Sequence, residues 1–141
     1  MSIFVVDASV AVKWFFPEPH SDAALRLLAS DNTLYAPDLL FSEFGNVLWK
    51  RFRNNEITKN EANAALEGLL ALPLQVQFSQ ALIPLAIEIA CAENRTVYDS
   101  LYLAAALAVQ FPLVTADAKL YRKVSKGRLT GYLLWVEDIP D

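Results

Sequence analysis

The feature that most constrains this chain is a short apolar run near its start, Ile3-Phe4-Val5-Val6, which stops abruptly at Asp7-Ala8-Ser9. Branched and aromatic residues in an unbroken run, without alternation, suit a strand covered on both faces, as in a parallel sheet flanked by helices. Ligands of open sheets bind beyond the carboxyl ends of the strands, where strand order reverses. A carboxylate placed there is a site candidate on position alone. The same position also suits a helix N-cap, and the sequence leaves both readings of Asp7 open.

Later segments extend the pattern of strands alternating with helices. Ala8 to Phe16 reads as a short helix closed by Pro17. Trp14, Phe15 and Phe16 are consecutive and cannot all face one core, so one or more is expected to meet a partner or a locally packed turn. Ser21 or Asp22 can cap a helix through Ala29, and His20, the single histidine, is expected at the surface. A weak second strand spans Thr33 to Ala36. The helix expected over Leu39 to Arg53 carries Phe41, Phe44, Leu48, Trp49 and Phe52 at spacings of three and four. Thr58 and Glu61 form a possible capping box for a helix through Leu72.

Leu74 to Phe78 alternates polar and apolar residues, the mark of a strand with a wetter face at a sheet edge. A mostly apolar helix follows from Ser79 to Asn94, with an awkward Pro84 that suggests an irregular start. Cys91, the one cysteine, lies in that apolar pattern and is expected as a small core residue instead of a nucleophile. Within the stretch Thr96 to Val109, Tyr98 to Ala106 reads as a nearly apolar helix with Asp99 in its first turn, a position the helix dipole favours for an acid in any role. Leu113-Val114-Thr115-Ala116-Asp117 then repeats the opening device. A basic helix over Lys119 to Lys126, a last strand over Leu133 to Val136 and an acidic tail complete the chain.

Alternating strands and helices favour an α/β fold whose sheet is parallel, with right-handed crossovers. The 141 residues suit one domain spanning 1–141. No export signal or membrane-length apolar segment is read, so a cytoplasmic protein with no membrane partner is expected. The net charge of −4 argues against indiscriminate binding of nucleic acid. Yet nine of the twelve basic residues fall in two stretches, Lys50, Arg51, Arg53 and Lys59, then Lys119, Arg122, Lys123, Lys126 and Arg128. Such patches can steer a polyanion, or can be ordinary solvated helix faces.

A parallel sheet would deliver Asp7 and Asp117 to the same edge. Asp99 can approach them from its helix, and Glu43, with Asn46 three residues on, can reach in from another. Two like charges about 4 Å apart repel by about 4 kcal/mol at an effective dielectric near 20, so such a group needs protons or a cation. Oxygen-only ligands select a hard ion, Mg²⁺ or Mn²⁺. The chain has no evident His-based acid–base pair and no Cys–His couple. Activation of water would then fall to the metal, a chemistry suited to in-line hydrolysis of phosphodiesters. Ser9 and Thr115, each within two residues of an aspartate, can orient those carboxylates, or can be a helix cap and a strand-end residue.

Asp7-Ala8-Ser9, Glu43 with Asn46, Tyr98-Asp99-Ser100-Leu101-Tyr102-Leu103-Ala104, and Val114-Thr115-Ala116-Asp117 with Leu120 together resemble the PIN domain, specifically the VapC-like ribonuclease toxins. The resemblance covers essentially the whole chain, and no departure is seen at these positions. It implies a three-layer α/β/α fold with a mostly parallel sheet of about five strands. Asp7, Glu43, Asp99 and Asp117 would form a metal-binding acidic site supported by Thr115, Ser9 and Asn46. It further implies Mg²⁺- or Mn²⁺-dependent endonucleolytic cleavage of RNA, a homodimer, and inhibition by a cognate VapB-like antitoxin. A noncatalytic PIN-like module that binds RNA or protein is the alternative. A phosphoacceptor receiver-like domain fits less well, because the strands over 33–36 and 74–78 lack an acid and no late strand ends in lysine.

Overall fold

The computed structural model describes residues 2–140; the two ends of the expected 1–141 domain lie outside the described residues. Five strands, β1 (Ser2–Val6), β2 (Asn32–Pro37), β3 (Gln75–Gln77), β4 (Leu113–Thr115) and β5 (Leu133–Trp135), form one sheet in the order β3-β2-β1-β4-β5. Every pairing is parallel. The chain therefore winds outward from β1 through β2 to β3, returns to the other side of β1, and winds outward again through β4 to β5. The reversal falls between β1 and β4, where a crevice opens beyond the strand ends. Covered by helices, the sheet forms the middle of a three-layer α/β/α fold.

Seven helices connect the strands: α1 (Ala8–Val12), α2 (Ser21–Leu25), α3 (Leu39–Arg53), α4 (Lys59–Ala71), α5 (Ser79–Glu93), α6 (Val97–Val109) and α7 (Ala118–Val124). Their ends follow local chemistry. Thr58 and Glu61 make the expected capping box, each side chain bonding the other's backbone N–H. The first backbone N–H of α5 is capped across the fold by the Asp38 carboxylate, which also accepts from the Ser79 hydroxyl. Pro84 is absorbed within a continuous α5. None of the helices among the described residues is long and apolar enough to cross a membrane.

The most deeply placed helix is α6, whose residues from Ser100 to Ala106 are all buried. It lies across β1, β2 and β4 and is covered on its other side by α5, which explains why it is apolar all round. The β1 residues Val5 and Val6 and the β4 residues Leu113 and Val114 are fully buried beneath it. This rigid centre fixes where β1 and β4 end.

Two expectations change, and a third resolves to one of its alternatives, the locally packed turn. The first helix stops at Val12, and residues 13–16 continue as tight turns with backbone bonds such as Trp14 N–H to Ala11 O. Trp14 is buried and donates its indole N–H to the Ala24 carbonyl at 2.8 Å. Phe15 meets the Phe44 ring edge-on, and Phe16 lies under the Arg51 guanidinium. Consecutive aromatics thus all find neighbours within the chain, because the turns point them in different directions. Cys91 is exposed, not in the core. The buried stripe of α5 is Leu82, Ala86 and Ile89, and a step of two residues beyond Ile89 turns to the opposite side of a 3.6-residue helix. His20 is at the surface as expected, paired with Glu137 Oε2 at 2.6 Å.

Candidate active site

Parallel pairing brings the first acid to its neighbours. Val6 is in register with Val114, so the residues that follow, Asp7 and Thr115, emerge side by side. The buried Thr115 hydroxyl donates to Asp7 Oδ2 at 2.5 Å and accepts the Asp117 N–H at 3.1 Å. On the other side the Ser9 hydroxyl donates to Asp7 Oδ1 at 2.6 Å and accepts the Ala116 N–H at 3.0 Å. Two hydroxyls therefore tie the end of β1 to the end of β4. Asp7 Oδ1 also caps α1 by accepting the Val10 N–H at 3.2 Å. The two readings of Asp7 are compatible: it is a helix cap and it lines the cavity. Asp117 behaves likewise, its Oδ1 accepting the N–H groups of Lys119 and Leu120 at the start of α7.

Asp7, Glu43, Asp99 and Asp117 line one open cavity of about 640 Å³, together with Ser9 and Asn46. Thr115 does not line it and acts from behind, through Asp7 and the Asp117 backbone. Asp7 is 5 % exposed, and burial pushes its carboxyl from 3.8 up to about 6, against the pull of the Ser9, Thr115 and Val10 hydrogen bonds and with a further push from Asp117. Burial and the charge of Asp99 raise Glu43, while the bond from Tyr102 opposes the shift. Burial and Asp117 raise Asp99, with Arg95, Lys123 and Lys119 pulling the other way. Among the described residues none of the four carboxylates is engaged in an ion pair. Acids outnumber bases on the cavity wall, where Asp7, Glu18, Glu43, Asp99 and Asp117 face only Lys13 and Lys50, so the cavity carries net negative charge.

A hard divalent cation fits this donor set by chemistry, since all four groups are carboxylates and three of them are held in a state that resists ionisation. Among the described residues, however, no three His, Cys, Asp or Glu side chains stand close enough to hold an ion as they are placed. The acids share a cavity without closing on a point. Asp7 is tethered by three hydrogen bonds, Glu43 by the single bond from Tyr102, and Glu43 and Asp99 are only partly buried.

The basic stretches divide. Lys50 lines the cavity, and Lys119 and Lys123 lie near enough to act on Asp99. Arg51 is committed to Glu18 and Phe16, and Arg128 to Glu93. Lys13 also lines the cavity and pairs with Glu18 at 3.1 Å.

The sequence pattern of the PIN domain family matches residues 4–126. The chain belongs to the PIN domain family. Among similar proteins, Ribonuclease VapC1 of Mycobacterium tuberculosis is 36 % identical over 118 residues, covering 82 % of this chain and 86 % of that protein. Ribonuclease VapC3 of Pyrobaculum aerophilum is 33 % identical over 121 residues, covering 84 % of this chain and 92 % of that protein. The crystal structure of PAE2754 from Pyrobaculum aerophilum superposes with a TM-score of 0.70 at 26 % identity, over 96 % of this chain and 85 % of the other. VapBC2 from Rickettsia felis, solved with a promoter DNA fragment, shares the fold at a TM-score of 0.68 and 19 % identity, over 94 % and 98 % of the two chains.

One side chain of this PIN cavity escaped the sequence reading as a site residue. Tyr102 lines it and donates its phenol to Glu43 Oε1. Its signal was present, because a residue three positions after Asp99 on a helix shares its side. Its apolar surroundings disguised it as core.

Proposed function

We propose that this chain is a metal-dependent endoribonuclease and the toxin of a VapBC-like pair. The observation that carries the reading is that four carboxylates from four separate elements line one cavity at the switch point of a PIN fold. The similarity to two VapC ribonucleases supports RNA as substrate. Asp7, Glu43, Asp99 and Asp117 would hold Mg²⁺ or Mn²⁺. Such an ion, when bound, lowers the pKa of a water and neutralises charge that develops on a phosphodiester.

The remaining work falls to the chain's own residues. Asp7 is held in one orientation by Ser9, Thr115 and the Val10 amide. Lys50, Lys119 and Lys123 offer positive charge at the rim for the RNA phosphates. Asn46, exposed beside Glu43 on the cavity wall, offers an amide that can bond ribose or base. The same reading includes a cognate VapB-like antitoxin, a homodimer, a single domain over 1–141 and a cytoplasmic location. The exposed Trp49 and Phe52 at the end of α3 provide apolar surface for protein contacts.

The test is cleavage of structured and single-stranded RNA by purified protein with Mg²⁺, Mn²⁺ or EDTA. Cleavage that requires the ion and disappears in Asp7→Asn is expected. Retention of RNA without turnover under every ion condition would refute the enzyme reading in favour of a noncatalytic binding module.

A further inference from the structure

Tyr102 stands three residues after Asp99 on α6, is 4 % exposed, and reaches the cavity through its hydroxyl. The phenol donates to Glu43 Oε1, and the backbone amide of Ala8 faces the same phenol oxygen. One side chain of α6, the helix that carries Asp99, thereby meets two other acid-bearing elements: α1 directly after Asp7 and α3 with Glu43. A phenol keeps its proton at neutral pH and so donates to the carboxylate it faces. A neutral donor facing a carboxylate makes a stronger and shorter bond than a neutral pair. Glu43 has particular need of it. It is partly buried, is repelled by Asp99, and among the described residues its carboxylate receives no other hydrogen bond. Holding Oε1 leaves Oε2 to the cavity.

We propose that Tyr102 is a positioning residue, whose hydroxyl fixes the rotamer of Glu43 so that its free oxygen is presented to the divalent cation. The inference rests on the metal-dependent reading above. Orienting partners of metal-binding groups typically carry a 10- to 100-fold effect on metal affinity or activity, and a single neutral hydroxyl belongs at the lower end. Tyr102→Phe keeps the ring and removes only the hydroxyl.

Isothermal titration of Mn²⁺ into the full chain, with parallel RNA-cleavage kinetics, tests it. Tyr102→Phe is expected to fold, to bind Mn²⁺ about tenfold more weakly, and to lose about tenfold in kcat at a fixed subsaturating Mn²⁺ with the KM for RNA unchanged. Raising Mn²⁺ should restore much of the rate. In a Glu43→Gln background the same substitution should change Mn²⁺ affinity by less than twofold, because the two groups act as one. Wild-type Mn²⁺ affinity and kcat in Tyr102→Phe would overturn the inference while leaving the nuclease reading intact. Full additivity in the double variant would overturn it as well. Absence of both Mn²⁺ binding and cleavage in the wild type would instead overturn the nuclease reading, and the inference with it.

Discussion

Replacing Asp7 by Asn should stabilise the metal-free protein at alkaline pH and lose that advantage in acid. The carboxyl is nearly inaccessible at 5 % exposure, and burial raises it from 3.8 to about 6. Because the folded-state value lies above the unfolded one, the native state binds the proton more tightly, and stability falls as pH rises through the interval between them. About two pH decades at about 1.4 kcal/mol each give a penalty of about 3 kcal/mol, fully present above pH 6 and absent below 3.8. Asn removes the charge and keeps an acceptor for the Val10 N–H and the Ser9 hydroxyl. Its amide then faces Thr115, whose hydroxyl must turn from donor to acceptor, at a loss of about 1 kcal/mol. The net gain at pH 8 is about 2 kcal/mol, or about 6 °C in Tm for a chain of this size. At pH 4 the variant should be equal to the wild type or about 1 kcal/mol weaker. Denaturant unfolding in EDTA from pH 4 to 8 measures the difference directly, and taking that difference cancels the other raised acids, Glu43 and Asp99. A difference that stays flat across that range would refute the claim that burial of the Asp7 charge opposes folding.

Thr115→Val should weaken the fold by about 2 kcal/mol at pH 7.5, since it strips a donor from a buried carboxylate and leaves the Asp117 N–H without the acceptor it now uses; denaturant titration reads it, and a loss below about 0.5 kcal/mol would mean that water replaces the hydroxyl. Two glycines in helices should respond to alanine with opposite signs. Gly45 on α3 has nothing within 4 Å of an added Cβ, so Gly45→Ala should gain about 0.5–1 kcal/mol. At Gly68 an added Cβ would sit 2.5 Å from the Phe15 ring, which is itself packed edge-on against Phe44, so overpacking should outweigh the helix gain and leave Gly68→Ala about 1 kcal/mol less stable. Paired thermal melts of the two variants distinguish a fixed Phe15 from one that can move aside.

Local chemistry was legible wherever it decided the structure. The span of α3 from Leu39 to Arg53, the Thr58–Glu61 box and the edge position of β3 follow from periodicity, capping and alternation, all of which act over a few residues. Asp7 and Asp117 could be singled out because each stands at the end of a short apolar run. Where a residue's surroundings come from distant parts of the chain, the sequence was silent or misleading. Nothing near Cys91 says which side of α5 faces out, nothing near Trp14 announces the Ala24 carbonyl, and nothing near Asp38 announces that it caps α5.

The amino-acid order by itself determined which elements form and which acids stand at their ends, because hydrophobic period and backbone capping are properties of neighbouring residues. Only the tertiary structure decided that β4 returns beside β1. That placement, with Val6 opposite Val114, puts the Thr115 hydroxyl against Asp7, and the packing of α6 across both strands brings Tyr102 to Glu43. Contacts such as these join residues separated by 108 and 59 positions. They exist because the sheet reverses its winding at β1, a choice made by burial of the whole core and not by any one segment.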